Sequence, residues 1–364
     1  MADAMPRVNS LTLDEFVLVT LEDLRGKEAK DNITPQHPLM TRMKEHGGIE
    51  DRDPGLGPTE DVLYATPSRG VTTSQSAPYA QKDETETTGY TRAKYDWVQR
   101  TETMVLSNYE ITNNRGVNKL YDLVKRKRRI ATLAQQSALF TIMWAGTTNS
   151  SENVFGVKEL IQFDPTSAPT RGNPGNIDPT GDDTTWWRNR YKDYDTAYVT
   201  YTTGAQNKTM VEDPGSTSTM TNVWFECTDN PQGLAAEGQP DLMPCNAVFY
   251  QQYSDLIARR MVFAPAKDRY ELGVDGLWYK SGVIFYDSSV PAAPTAGEGV
   301  CFFINSRTLK WVYAKGLRED WGPGHALSRA ITGRGWDMTT QFSMTCDSRN
   351  RNGVFFGSKA ASIS

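Results

Sequence analysis

The sequence predicts an α+β protein of two packing units with appendages, and three observations carry that prediction. The chain has 364 residues, beyond the ~250–300 at which a single core stops growing. A helical periodicity dominates 113–143. Short β-patterned runs fill much of the remainder, at 93–106, 277–286, 300–313, 342–345 and 354–356.

The first fifty residues are uneven. Leu11, Phe16, Leu18, Leu21 and Leu24 have a spacing compatible with a short helix. Thr34-Pro35 and His37-Pro38 then stop any regular element, because proline lacks a donor and restricts its predecessor. Leu39 to Lys44 fits another helical turn before Gly47-Gly48. No compact core is visible here, so 1–50 is expected to be an arm lying on something else, such as another subunit.

Residues 51–110 read as strands around a polar excursion. Asp61 to Ala65 is a short strand, and Ser68 to Thr88 is rich in Ser, Thr, Gln and acids. Ala93, Tyr95 and Trp97 alternate, as do Thr103 and Val105 further on, which is the period of a half-buried strand. A polar stretch of about twenty residues is long for a connection inside a compact domain. It is either disordered or a β-rich projection ordered by a partner.

Over 113–143, Val117, Leu120, Tyr121 and Val124 repeat at helical spacing after the capping candidates Asn113 and Asn114. Ala131, Ala134, Ala138 and Phe140 to Ile142 continue the pattern. At 1.5 Å per residue this helix is about 40 Å long. Its middle holds Lys125, Arg126, Lys127, Arg128 and Arg129. Five adjacent helical residues circle the axis, so one core cannot cover them all. They are either a solvated face with snorkelling stems, or partners for a neighbouring subunit's acids or for nucleic acid.

Further on, 164–183 is polar and broken by proline. In Trp186-Trp187-Arg188-Asn189 one indole is expected to enter a core while the other seals a seam. Ser216 to Thr219 can cap a helix bearing Met220, Val223, Trp224 and Cys227. Pro240 to Pro244 is expected to enter a second helix with Phe249 and Tyr253 on its apolar side and Arg259-Arg260 near its C-terminal end. Strands at 277–286, 300–304, 309–313, 342–345 and 354–356 close the chain.

Composition narrows the function classes. The net charge is −5 with pI near 5.4, which argues against a dedicated nucleic-acid reader. Met1 to Arg7 leads into no apolar stretch, so no export signal is expected. No window reaches 18 apolar residues, so no membrane span is expected. Cys227, Cys245, Cys301 and Cys346 lack paired spacing and read as single reduced thiols. His37, His46 and His325 form no triad, and Gly322, Gly324 and Gly333-Arg334-Gly335 read as turns rather than a phosphate cradle. Asp182-Asp183 and Glu50-Asp51 read as solvated turns. The expectation is a structural or assembly protein, not an enzyme, without metal or cofactor.

Several stretches, in their order along nearly the whole chain, carry a resemblance. They are His37-Pro-Leu followed by Gly47-Gly48, Tyr95-Asp-Trp97 before the long helix, Trp186-Trp-Arg-Asn189, and Pro240-Asp-Leu-Met with Tyr250 and Tyr253. Leu277-Trp-Tyr-Lys-Ser-Gly-Val-Ile-Phe-Tyr-Asp287 and Phe302-Phe-Ile-Asn305 with Leu309 complete the set. In these the chain resembles the major capsid proteins of tailed bacteriophages with the Hong Kong 97-type fold.

The resemblance implies an N-terminal arm at 1–50, an extended β loop at 51–105 and a peripheral domain at 106–204 holding a spine helix at 113–143. It further implies an axial domain at 205–300 and C-terminal strands at 301–364 returning to the peripheral domain. It implies self-assembly into hexamers and pentamers of an icosahedral head shell, in the virion, around double-stranded DNA contacted without sequence preference. Portal, scaffolding and decoration proteins are the other implied partners. Lys125, Arg126, Lys127, Arg128, Arg129, Trp186 and Trp187 are then expected to face a neighbouring subunit or the genome. Some relatives crosslink a loop lysine to a neighbour's asparagine, but no motif around Lys82 carries that chemistry over. The alternatives are another virion assembly or scaffold-like component, or a carbohydrate-binding β module.

Overall fold

The computed structural model describes residues 7–8, 11–12, 38–55, 57–64, 89–113, 117–146, 154–167, 172–193, 220–228, 238–258, 276–280, 282–327 and 333–357. The expected features at 13–24, 68–88, Asn114, Ser216–Thr219 and Arg259-Arg260 lie outside these residues, as does Lys82.

The centre of the fold is a six-stranded mixed sheet. Its strands are β7 (Arg190–Asp193), β8 (Leu242–Cys245), β9 (Gly276–Tyr279), β10 (Gly282–Tyr286), β11 (Gly299–Phe303) and β16 (Gly353–Gly357), in the order β7-β16-β11-β8-β10-β9. The β8–β10 and β7–β16 pairs are parallel and the rest antiparallel. Gly-Val-Cys-Phe-Phe and Gly-Val-Phe-Phe-Gly are buried at every residue, as a sheet covered on both faces requires.

The two-residue period sorts these side chains. Val300, Phe302, Val354, Phe356, Val283 and Phe285 enter the larger core. Cys301, Phe303, Phe355, Ile284, Met243 and Cys245 enter a second core. That second core is closed by Met220, Val223, Trp224 and Cys227 of helix α5 (Met220–Thr228) and by Phe249 and Tyr253 of helix α6 (Ala247–Ala258). Each phenylalanine buried in this way stabilises the fold by about 1.5–3 kcal/mol relative to exposure.

A second sheet is organised on β15 (Gly333–Cys346). It pairs with β6 (Val98–Ser107) over ten positions, from Gly333↔Ser107 to Phe342↔Val98. It also pairs with β12 (Leu309–Ala314), β13 (Asp320–Trp321) and β14 (His325–Ala326), while β3 (Ile49–Arg52) joins β12 in parallel. After the short helix α2 (Asn108–Asn113), helix α3 (Val117–Ala145) runs for 29 residues. Its first half packs Val124 and Ala131 against Met104, Leu106 and Trp336. Its second half sends Leu139, Phe140, Met143 and Trp144 into the larger core. One helix thus spans two cores.

The remaining strands, β4 (Thr59–Leu63) and β5 (Tyr90–Lys94), form a separate antiparallel ribbon, with 65–88 between its described legs. Gly57 precedes it at φ +127, where a Cβ would lie 2.2 Å from the Tyr95 carbonyl oxygen.

The structure corrects several expectations. Residues 38–52 are not a coreless arm. Helix α1 (Pro38–Glu45) buries Leu39 and Met43 completely, and β3 is part of the second sheet. Leu11–Thr12 (β2) pairs with Arg7–Val8 (β1) as a short strand instead of starting a helix. The helix expected after Pro240–Pro244 is present as α6 with Phe249 and Tyr253 buried, but the segment that leads into it, Leu242–Cys245, is itself a central strand buried on both faces. Pro244 disguised it, since proline is rare inside sheets. Gly333 and Gly335 belong to β15 rather than to a turn. At Gly333 a Cβ would come within 2.6 Å of the Leu106 carbonyl oxygen, so the β6–β15 approach requires glycine. The C-terminal strands divide between the two sheets: β12 and β15 lie in the sheet with β6, and β16 lies beside β7 in the central one.

Candidate functional site

The basic stretch sits in the first half of α3, where the inward stripe is Val124, Arg128, Ala131 and Gln135, all buried. The helical turn fixes this phase, since positions three and four apart share a face. Arg128 is therefore an inward residue at 5% exposure, and the expectation that it faces a neighbour or the genome is corrected. Lys127 is half-buried and pairs with Glu110 of α2, Nζ to Oε1 at 2.9 Å. The Lys127 bond, with the Ser107 N–H, holds the Glu110 carboxyl below the usual range. Lys125, Arg126 and Arg129 are exposed, beside the exposed Ile130.

The two tryptophans lie in the 3-10 helix Asp182–Trp187. Trp187 is fully buried, and its Nε1–H donates to the Pro174 carbonyl oxygen at 3.0 Å. It is a core residue, not a surface one, because an indole at zero exposure has no atom left for a neighbour. Trp186 is half-buried and stacks on Tyr64, with ring centroids 5.0 Å apart at 18°, while meeting Trp187 edge-on at 5.7 Å. Tyr64 directly follows β4, so Trp186 seals the ribbon to the body within one chain.

The ribbon is held at its root by charges that sequence reasoning missed. Arg52 of β3 reaches Glu60 of β4 at 2.7 Å and Glu50 at 3.0 Å. Lys310 of β12 reaches Glu50 at 2.8 Å, and the Thr345 hydroxyl donates to Glu60 Oε1 at 2.8 Å. Burial raises the Glu50 carboxyl, but the bonds from Lys310 and Arg52 outweigh it and hold the group below its ordinary range. No local motif announces this cluster, because its members come from four strands.

The outer face of the ribbon carries the cross-strand pairs Asp61↔Arg92 and Leu63↔Tyr90. Arg92 Nε donates to Asp61 Oδ1 at 2.7 Å, and Leu63 and Tyr90 are 43% and 66% exposed. At the edge strand β9, Trp278 is exposed and the Lys280 ammonium lies 4.2 Å and 4.0 Å from the Trp224 and Phe225 ring centroids.

Among the described residues no group of three or more His, Cys, Asp or Glu side chains is arranged to hold a metal ion. No described helix is long and apolar enough to cross a membrane. The four cysteines are free and buried, and burial pushes the thiols well up. His46 Nδ1 lies 3.1 Å from Asp241, and His325 Nδ1 lies 3.6 Å from Asp337. Both are pairings between elements.

No family model and no curated protein matches the sequence. Among solved structures, the chain is similar to one from the cyanophage A-1(L) capsid asymmetric unit, at 11% identity and TM-score 0.48, covering 85% of this chain and 89% of that one. It is similar to a chain of the capsid of the myovirus XM1, at 9% identity and TM-score 0.48, covering 86% and 91%. It is also similar to a chain from the capsid of the native GTA particle, at 10% identity and TM-score 0.47, covering 88% and 90%.

Proposed function

We propose that this chain is a shell-forming capsid subunit of the Hong Kong 97 type, structural rather than catalytic. It assembles as hexamers and pentamers into the icosahedral head of a tailed phage around double-stranded DNA. The observation that carries this reading is the β4–β5 ribbon. Each leg buries one side chain, Val62 and Ala93, while Leu63, Tyr90, Asp61 and Arg92 point outward. A two-stranded ribbon is marginal alone, and an outward face of this kind gains stability by covering a neighbour. The order of the Trp97, Trp186-Trp187, Leu277–Asp287 and Phe302–Asn305 stretches along the chain supports the same reading.

Lys125, Arg126 and Arg129 suit a sequence-independent contact with DNA phosphates or a neighbour's carboxylates. Portal, scaffolding and decoration proteins complete the proposed partners, and the virion is the proposed location. The carbohydrate-binding alternative drew on exposed tryptophans; Trp187 is buried and Trp186 lies against Tyr64, which leaves Trp278 as the strongly exposed indole among the described residues. Negative-stain microscopy of the concentrated protein tests the proposal. Shells, hexamers or pentamers support it, whereas monomers or fibres under every condition overturn it.

A further inference from the structure

Asp347 follows β15 directly and stands beside the charge cluster at the ribbon root. Its Oδ1 is buried and accepts no hydrogen bond among the described residues. Its backbone N–H donates to the Thr308 carbonyl oxygen at 3.1 Å, which fixes the backbone of the turn against the start of β12. Thr345, two residues before it, lies opposite Lys310 of β12 and donates to Glu60 of β4 at 2.8 Å, so both charges sit at this end of β15; with Ser348 and Arg351 of the adjoining turn they act on the Asp347 carboxyl. Lys310 is shared with Glu50, to which it is bonded at 2.8 Å. Tyr95 and Cys346 nearby are neutral, since burial raises both.

The cluster therefore holds three carboxylates, Glu50, Glu60 and Asp347, against Arg52, a divided Lys310 and Arg351. Glu60 is the tie between β4 and the body, accepting from both Arg52 and Thr345. A negative charge on Asp347 opposes a negative charge on Glu60 and leaves a buried oxygen unpartnered, which costs free energy.

We propose that Asp347 is a proton-responsive element of the ribbon root: it takes up a proton in mildly acidic solution, and the ribbon is then held more tightly to the body. Burial first, and Glu60 second, push the Asp347 carboxyl up to about 6, against the opposing pull of Lys310. The folded chain thus binds this proton more tightly than the unfolded chain does. Stability is gained as pH falls through about 6 and is lost again as pH rises. Glu50, held low, releases its contribution only below its ordinary range, so the window from pH 7.5 to 5.5 isolates Asp347 from it.

The test is hydrogen exchange of the full chain at pH 5.5 and 7.5, corrected for the intrinsic pH dependence and read on the amides of 59–63 and 90–94. Exchange should slow several-fold at pH 5.5, and Asp347→Asn should be slow at both values. Lys310→Gln removes the cation that lowers Asp347, so it should move the transition to higher pH. That shift would not follow from a merely structural role. A pH difference that survives in Asp347→Asn, or a transition that Lys310→Gln leaves in place, overturns the proposal.

Discussion

The Tyr95 hydroxyl donates to the Cys346 carbonyl oxygen at 2.7 Å in a buried contact, which fastens the base of the β4–β5 ribbon to the end of β15. Tyr95 is 3% exposed and meets Phe155 edge-on. Tyr95→Phe keeps the ring and leaves a buried acceptor without its donor. The expected loss is about 1–3 kcal/mol, measured by denaturant unfolding of the subunit. A change within error would show that the bond contributes nothing net.

Trp186 and Trp187 should separate in their effects. Trp187→Ala empties a fully buried site and should cost the subunit about 3–5 kcal/mol. Trp186→Ala removes a stacking partner of Tyr64 and should cost less, about 0.5–1.5 kcal/mol beyond its buried area. Its larger effect should fall on assembly yield, because it loosens the ribbon. Equal losses for the two variants would contradict this division.

Within the basic stretch, the exposed and buried members should also separate. Replacing Lys125, Arg126 and Arg129 together by Gln should change subunit stability by about 0.5 kcal/mol or less, as for other surface substitutions. The same triple variant should reduce particle yield or the salt resistance of filled particles. Arg128→Gln, at an inward position, should instead lower the unfolding midpoint of the subunit. A triple variant as unstable as Arg128→Gln would show that the exposed bases hold the monomer together.

Arg349 is fully buried, and its guanidinium donates to the Leu160 carbonyl oxygen at 2.8 Å and to Gln162 Oε1 at 3.0 Å. Burial pulls it down to about 10, which still leaves it charged at neutral pH. It ties the turn after β15 to helix α4 (Val157–Leu160) and the segment after it, so Arg349→Ala strips a donor from the buried Leu160 carbonyl and from the half-buried Gln162 amide oxygen. A loss of about 1–3 kcal/mol for each buried acceptor left without its donor, with the cavity adding to it, is expected in subunit unfolding. Survival of a fully cooperative, equally stable subunit would refute this.

How far the sequence revealed this fold depended on how local each feature is. Helix α3 was legible because Val124, Ala131 and Phe140 lie on one chain segment with helical spacing. The strands at 277–286 and 300–313 were legible because short apolar and aromatic runs recur there, although 277–286 is two paired strands, β9 and β10, rather than one. The hidden parts depend on residues far apart in the chain. β8 contains a proline and takes its strand identity from β10 and β11. Glu60 and Thr345 are 285 positions apart, so no window contains the ribbon root. Arg128 could have been placed inward from the phase of Val124 and Ala131. The run of five bases obscured that phase. That one indole of Trp186-Trp187 enters a core while the other seals a seam was anticipated, but which one and its partner Tyr64 were not, because nothing in the sequence brings 64 near 186.

On the proposed function, this chain forms shells through the ribbon. That claim is tested most directly by sedimentation velocity of the purified full chain beside the double variant Leu63→Ser, Tyr90→Ser. These two side chains are 43% and 66% exposed on the ribbon's outer face, so the variant should unfold like the parent. The parent should sediment as hexamers, pentamers or closed particles at high concentration and moderate salt, and the variant should remain a folded, smaller species. A parent that stays a compact monomer throughout, or a variant that assembles as well as the parent, would contradict the account.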